Sequence, residues 1–431
     1  MIDLKNAAKL PKPHFLDGIA KAAVHSRLKN LRLGRLQWTE GDQSYSFGEL
    51  SERCTLSASV TVTDARLYSE MAFGGSIGAG EAYMYGYWQT DDLVTLLRIL
   101  LQNRDVVDGM EKGLARWAQP FEKTMHWISR NTRQGSRRNI QAHYDLGNAF
   151  FKLFLDPTLM YSSAFFEHSQ MTLEEASVAK LDRICKKLQL NAGDRILEIG
   201  TGWGGFALHA ATHYGCHVTT TTISQEQHDL ARERIGKAGL EGQITLLLSD
   251  YRDLQGQYDK LVSIEMIEAV GHAYYDTYFK KCSDLLKPAG QMLLQAITIA
   301  DQRYEKAKNA VDFIQRYIFP GSCIPSVGSI CDALTRVTDM KLYHLEDIGP
   351  HYAMTLRQWR HNFMQALSAV RSQGYSESFI RMWEFYFAYC EAGFMERVIG
   401  DVQMHLVKPQ ARPEVVTFAW PSQNNVGHEN A

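Results

Sequence analysis

Several things are scarce in this chain. Its 431 residues set 46 Lys and Arg against 48 Asp and Glu, a formal net charge of −2, so no global basic field argues for nucleic acid. The seven cysteines, at 54, 185, 216, 282, 323, 331 and 390, form no Cys-x-x-Cys pair. An odd, scattered set reads as reduced thiols, not as a disulfide framework or a zinc site, and no metal ligands are assigned. Long apolar runs are missing too. Leu93–Leu101 is broken by Arg98, and Phe379–Met395 by Arg381, Glu384 and Glu391, so neither gives the roughly 20 apolar residues of a bilayer span. The opening Met1-Ile-Asp-Leu-Lys5 has no signal-peptide apolar core. These absences predict a cytoplasmic protein, at most peripherally attached to the inner face of a membrane.

What is present is a 45% hydrophobic composition, enough for a large core and two domains. Residues 1–125 read as a small α+β domain. Ser59-Val-Thr-Val-Thr63 alternates like a strand, Gly74–Gly80 reads as a glycine-rich turn, and Asp91 and Asp92 open a helix with Leu93, Leu96, Leu97 and Leu100 on one stripe. Residues 126–140 form a basic linker around Arg130-Asn-Thr-Arg-Gln-Gly-Ser-Arg-Arg-Asn139. It reads as a solvated connector or as a phospholipid contact, where each cation gains about 1 kcal/mol near an anionic surface. From 141 to 410 strands and helices alternate. Strands are expected at Asp194–Gly200, Cys216–Ile223, Ile244–Ser249, Tyr258–Ile264, Gln291–Ile299 and Val398–Val407. Helices are expected at Phe206–Tyr214, Gln225–Lys237, Ala273–Leu286, Thr355–Ser372 and Glu377–Glu396. Near-continuous apolar strands between helices predict a parallel, doubly wound α/β sheet. Residues 411–431 form a tail.

Gly200-Thr-Gly-Trp-Gly-Gly205 stands between an expected strand and helix, where glycines let the backbone turn tightly and approach a ligand. It satisfies the G-x-G-x-x-G spacing, but a bare structural turn does so as well. A dinucleotide site wants an acid at the end of the second strand. That strand ends Thr219-Thr-Thr-Thr-Ile-Ser224, so an adenosine without a pyrophosphate fits better. Glu198, at the end of the first strand, suits an amino-bearing ligand or an internal ion pair.

Around this turn stands an ordered series of motifs. It contains His143-Tyr-Asp-Leu-Gly-Asn148, Leu155-Asp-Pro157, Tyr161-Ser-Ser-Ala164 and Leu197-Glu-Ile-Gly-Thr-Gly-Trp-Gly-Gly205. It continues with Thr222-Ile-Ser-Gln-Glu-Gln227, Asp250-Tyr-Arg-Asp-Leu254, Tyr275-Asp-Thr-Tyr-Phe279, Tyr317-Ile-Phe-Pro320 and Ile324-Pro-Ser326. In these the chain resembles the cyclopropane-fatty-acyl-phospholipid synthases and the related mycolic acid methyltransferases. The front domain, notably Gly75–Trp88, resembles that of the bacterial synthases.

The resemblance implies a seven-stranded, Rossmann-like class I methyltransferase domain behind a smaller α+β domain, with S-adenosyl-L-methionine over the glycine turn. Tyr161 and Ser162 would hold the amino-acid end of the cofactor, with Gly200 and Gly202 letting it approach. Thr222, Ile223 and Gln227 would meet the ribose, and Tyr251 the adenine. The substrate would be the double bond of an unsaturated acyl chain in a membrane phospholipid, reached by docking on the membrane surface. A homodimer through the front domain is implied as well. Methyl transfer to an alkene leaves a carbocation, and aromatic faces and an anion suit it. Tyr144 matches a family tyrosine beside the reacting centre. A bound bicarbonate would remove a proton from the new methyl group and close the ring, held at Ser163, Glu268, Gln295, Ile297 and Tyr352.

Two of these five positions depart from the family: Ser163 replaces a cysteine and Gln295 a histidine. Ser163 still offers a backbone N–H, but Gln295 never carries positive charge, and charge-assisted bonds to an anion are roughly twice as strong as neutral ones. The usual histidine after the glutamate is Ala269, with His272 a weak replacement. The expected product is a cyclopropane fatty acyl chain. With a failed anion site it is a methyl-branched unsaturated chain. A nicotinamide oxidoreductase and a non-catalytic lipid-binding relative are the competing readings.

Overall fold

The computed structural model describes residues 16–106 and 146–414. Tyr144, the basic linker and residues 415–431 lie outside them. The described residues fall into two compact units. The first holds 16–106, 309–320 and 359–398, and the second 146–308, 321–358 and 399–414.

The second unit is built on a sheet of seven strands: β5 (Arg195–Ile199), β6 (His217–Thr222), β7 (Ile244–Leu248), β8 (Tyr258–Ile264), β9 (Leu286–Ile299), β10 (Lys341–Asp347) and β11 (Ile399–Val407). Their spatial order is β10-β11-β9-β8-β5-β6-β7. Strands β5 to β9 pair in parallel, while β11 runs against both β9 and β10. Both faces are buried, and the two-residue period decides which side chain serves which face. Ile196, Val262 and Leu293 pack with Phe206, Ala210, Ile184 and Leu188. Their sequence neighbours Leu197, Leu261, Met292 and Leu294 pack on the opposite face with Tyr278, Phe279, Ile330 and Met404.

Helix starts follow local side-chain chemistry. Thr172 and Glu175 form a reciprocal capping box at the head of Leu173–Leu188, and Ser224 caps Gln225–Ala238. The helix expected from Thr355 is two elements, Gly349–Gln365 and Leu367–Ser372, interrupted at Ala366. Ile399–Val407, Gln225–Ala238 and Tyr258–Ile264 stand within a residue of their expected bounds.

The first unit carries a four-stranded sheet, order β2-β1-β3-β4, from β1 (Arg35–Glu40), β2 (Gln43–Phe47), β3 (Ser57–Val62) and β4 (Trp88–Thr90). Asp92 caps the helix Leu93–Gln102 through Thr95 N–H, and Leu93, Leu96 and Leu97 are buried as expected. Two expectations are corrected here. The run from 141 to 410 is not one continuous unit, because 309–320 and 359–398 cluster with the front unit. The physical cause is the aromatic helix Glu377–Met395, which packs on Arg66–Met84 and Leu93–Gln102. Tyr83 donates to Glu384 (2.8 Å), and Arg381 donates to the carbonyls of Tyr83 and Trp88. The charges that break the apolar run are therefore anchors.

The second correction concerns Gly74–Gly80, which is not a turn throughout: Arg66–Met84 is two helical stretches that break at the single residue Gly75 (φ 57°, ψ −135°). These glycines serve close approach: a Cβ on Gly78 would lie 2.0 Å from the Glu70 carbonyl oxygen, and one on Gly80 2.6 Å from the Phe313 ring. Gly74 has nothing within 4 Å of that position. Gly78→Ala is therefore expected to destabilise by about 1–3 kcal/mol through overpacking, while Gly74→Ala is neutral or stabilising by up to about 1 kcal/mol. Urea denaturation of the two variants checks this, and equal midpoints would refute it.

Candidate functional site

The glycine turn stands at the carboxyl end of β5, where the sheet order reverses between β6 and β8, the usual ligand position in such sheets. Gly200 (φ 104°), Gly202 (φ 52°) and Gly204 (φ 87°) are all left-handed. The N–H groups of Gly200 and Thr201 both donate to Thr221 O, at 3.1 and 3.0 Å, tying the turn to β6. Around Gly202 a Cβ would meet nothing within 4 Å, whereas on Gly205 it would meet Met160 Sδ at 2.5 Å. Gly202 thus leaves open space, and Gly205 lets the segment before Tyr161 pack against the turn. Arg234, which the sequence reading missed, staples that segment: its guanidinium donates to the carbonyls of Pro157, Thr158 and Trp203. The turn and the Tyr161–Ser162 segment are so brought side by side.

The other expected cofactor residues sit on the same edge. Thr222 donates to Gln227 Oε1 (2.7 Å) and accepts from Ser224 N–H, which fixes the chain on either side of Ile223. Tyr251 lies half-buried in a short 3-10 turn, edge-on to Tyr278 at 5.4 Å. Tyr161 stands edge-on to Phe151 and Phe154. Ser162 accepts from Lys180 Nζ (2.8 Å), and burial pushes this fully enclosed lysine down to about 8. Glu198 is enclosed within the sheet, accepting from Thr220 (2.5 Å), and burial pushes it up to about 8.

The five positions expected to hold an anion do converge, but on a side chain absent from that set. Glu265 Oε1 accepts from Ser163 N–H and Gln295 Nε2, each at 2.8 Å, and its Oε2 accepts from Tyr352 OH at 2.7 Å. Ile297 N–H donates to Glu268 Oε1 at 2.5 Å. Gln295 is completely buried; its Nε2 also reaches Asp401 Oδ2 (3.2 Å), and its Oε1 accepts from Gln403 (3.0 Å). Bicarbonate therefore does not fit: each donor in its expected cage serves one of the protein's own carboxyls. Burial raises Glu265 and Asp401 together. Three donors favour the ionised form on Glu265, while the neighbouring charges of Glu265 and Glu268 push Asp401 further up. Ionisation is therefore disfavoured at Asp401 more than at Glu265. Glu268 is pushed up to about 8 by burial and by Glu265, and its Oε2 is buried without a partner.

The profile of the family described as mycolic acid cyclopropane synthetase matches residues 131–404. The chain belongs to that family. It is 39% identical over 343 residues to the tuberculostearic acid methyltransferase of Mycobacterium tuberculosis, covering 78% of this chain and 79% of that one. To the cyclopropane-fatty-acyl-phospholipid synthase of Escherichia coli it is 37% identical over 354 residues, covering 80% and 86%. The cyclopropane synthase MmaA2 from Mycobacterium tuberculosis superposes with a TM-score of 0.59 at 31% identity, over 63% of this chain and 98% of that one. The mycolic acid cyclopropane synthase CmaA1, complexed with S-adenosylhomocysteine, gives the same figures.

This member of the mycolic acid cyclopropane synthetase family is an S-adenosylmethionine-dependent methyltransferase, and the open space at Gly202 fits the cofactor. Tyr144 lies outside the described residues. Sequence reasoning missed Glu265 and Asp401. The signal available for Glu265 was a second acid three residues before Glu268 in Ser263-Ile-Glu-Met-Ile-Glu268; Asp401 carried none.

Two measurements follow. Gly202→Ala adds a Cβ into open space at a backbone cost of about 1–2 kcal/mol. It is expected to weaken S-adenosylhomocysteine binding at least about tenfold by calorimetry, whereas unchanged affinity would refute the placement. The second uses Glu268. Its unfolded carboxyl titrates near about 4.3. Below that value both states hold the proton. Above it the unfolded chain releases a proton that the native site keeps until about pH 8, so stability falls as pH rises through this window. Glu268→Gln is expected to gain on the order of a few kcal/mol more at pH 8 than at pH 4.5, read as a rise in Tm of several degrees. Scanning calorimetry at both pH values checks it; a pH-independent shift counts against the assignment.

Proposed function

We propose that the protein transfers the methyl group of S-adenosylmethionine to a double-bond carbon in the unsaturated acyl chain of a membrane phospholipid, giving a cyclopropane fatty acyl chain. In this reading Tyr161, Ser162, Gly200, Gly202, Thr222, Ile223, Gln227 and Tyr251 bind the cofactor, which supplies an electrophilic methyl. Glu198, at the end of β5 below the turn, belongs to the same cofactor-binding set. Ser163, Gln295, Ile297, Tyr352 and Glu268 hold the carboxyl cluster, and a catalytic role for Tyr144 rests on the resemblance.

One observation carries the reading: a half-buried carboxylate, Glu265, held by three donors directly before Met266, whose side chain lies against Gly200. An alkene carbon has no lone pair, so its methylation leaves a full positive charge on carbon. A counter-charge about 4 Å away at an effective dielectric of about 20 stabilises that cation by about 4 kcal/mol. The names of the Escherichia coli and mycobacterial relatives support the lipid substrate. A second product, the methyl-branched unsaturated chain, is favoured by the same donors being closed to bicarbonate.

Among the described residues no helix is long and apolar enough to cross a membrane. In this reading the enzyme reaches the acyl chain by docking peripherally on the cytoplasmic face of the membrane. The homodimer through the front unit belongs to this reading.

The test uses trideuteromethyl-labelled cofactor and vesicles of unsaturated phospholipid, with the acyl chains read by mass spectrometry and proton NMR. A cyclopropane keeps two of the three deuteriums and shows ring protons. A branched alkene with its double bond in the chain keeps all three. No label in any lipid, despite cofactor binding, would overturn the proposal.

A further inference from the structure

The family's reaction needs an acceptor for the proton that the methylated cation must lose, and the donors expected around bicarbonate are spoken for. The group they hold is part of the chain. Ser163 N–H, Gln295 Nε2 and Tyr352 OH come from three separate segments and meet on the two oxygens of one carboxylate. A second anion in that cage would have to displace those bonds and lie against a like charge.

The backbone bears the mark of this placement. Glu265 has φ 48°, one of only four non-glycine residues in the left-handed region among the described residues. Strain of that kind persists where the surroundings over-determine it. Here the Glu265 N–H is fixed to Gln295 O at 2.8 Å, while its carboxylate is fixed to the Gln295 side chain. Asp401 shares the Gln295 amide, and Gln403 holds the other end of that amide. Gln295 is thereby locked with its NH2 toward the two acids.

We propose that Glu265 is the proton acceptor of the reaction, a resident carboxylate in place of a diffusible bicarbonate, with Gln295 and Asp401 as its positioning residues. This rests on the alkene reading above. The alkene π pair forms the new C–C bond as the C–S pair leaves to sulfur, and the adjacent carbon becomes cationic. A Glu265 oxygen then takes a proton from the transferred methyl, and the freed C–H pair closes the three-membered ring. Proton loss from a chain carbon gives the branched alkene instead. In both cases the proton rests on Glu265 and passes to solvent when product leaves. Turnover is therefore independent of bicarbonate.

Wild type, Glu265→Gln and Glu265→Gly are compared in carbonate-depleted buffer, with and without added sodium bicarbonate. The readouts are labelled lipid and calorimetric affinity for S-adenosylhomocysteine. Wild-type turnover is expected to stay within twofold on adding bicarbonate. Glu265→Gln is expected to lose at least about 100-fold in kcat with cofactor affinity kept. Glu265→Gly relieves the left-handed backbone and empties the cage, and bicarbonate or formate, but not chloride, is expected to restore at least tenfold, which a merely structural glutamate would not allow. A wild-type rate that depends on bicarbonate, or Glu265→Gln turning over at the wild-type rate, overturns this proposal alone. No labelled lipid from wild type overturns the alkene reading and this proposal with it.

Discussion

Placing negative charge inside the second unit is the constraint on which its site depends. An isolated buried carboxylate is prohibitively costly, and here Glu198, Glu268 and Asp401 are enclosed and Glu265 is half-buried. Each finds a different settlement. Glu198 accepts a threonine hydroxyl, Glu268 a backbone N–H and Asp401 the Gln295 amide, while Glu265 gathers three donors. Lys180, with no exposed surface, is the cation that several of them feel. The donors come from a loop, from β9 and from the helix Gly349–Gln365, so the cluster also ties together parts of the chain distant in sequence.

The glycine turn solves a different problem. It must leave room while staying fixed, and its left-handed glycines do the first while two N–H groups on Thr221 do the second. Arg234 then gives three backbone carbonyls a common partner. Cofactor end and carboxyl cluster are joined by one short covalent path, Tyr161 and Ser162 directly preceding Ser163, and by the packing of the Met266 side chain, next to Glu265, against Gly200.

The sequence made legible whatever follows from short-range periodicity. Strand β8 and the helix Gln225–Ala238 came out nearly to the residue, because both follow a strong apolar pattern with clear ends. Gly74–Gly80 misled because glycine density signals a turn only when the chain reverses locally; at Gly78 and Gly80 it signals neighbours too close for a Cβ. The site was half legible. Ser163, Gln295 and Tyr352 are pointed out by resemblance, and the charge lost with a histidine at 295 is read from the residue type alone. What Gln295 does instead depends on Asp401 and Gln403, brought beside it by the antiparallel register of β9 and β11. No local pattern announces a pairing across more than a hundred residues. Glu265 was hidden for a related reason: its carboxylate acts where the resemblance supplies a separate molecule.

The chain passes between its two units at 308–309, 320–321, 358–359 and 398–399. The front sheet and the aromatic helix that packs with its companion helices are thus separated in sequence by six of the seven strands of the methyltransferase sheet. A fragment cut away after the front domain would retain Phe385 and Trp383 with the surface that receives them removed. The front unit is then no detachable module: folding it requires synthesis to have passed residue 398, and the two units must complete themselves together.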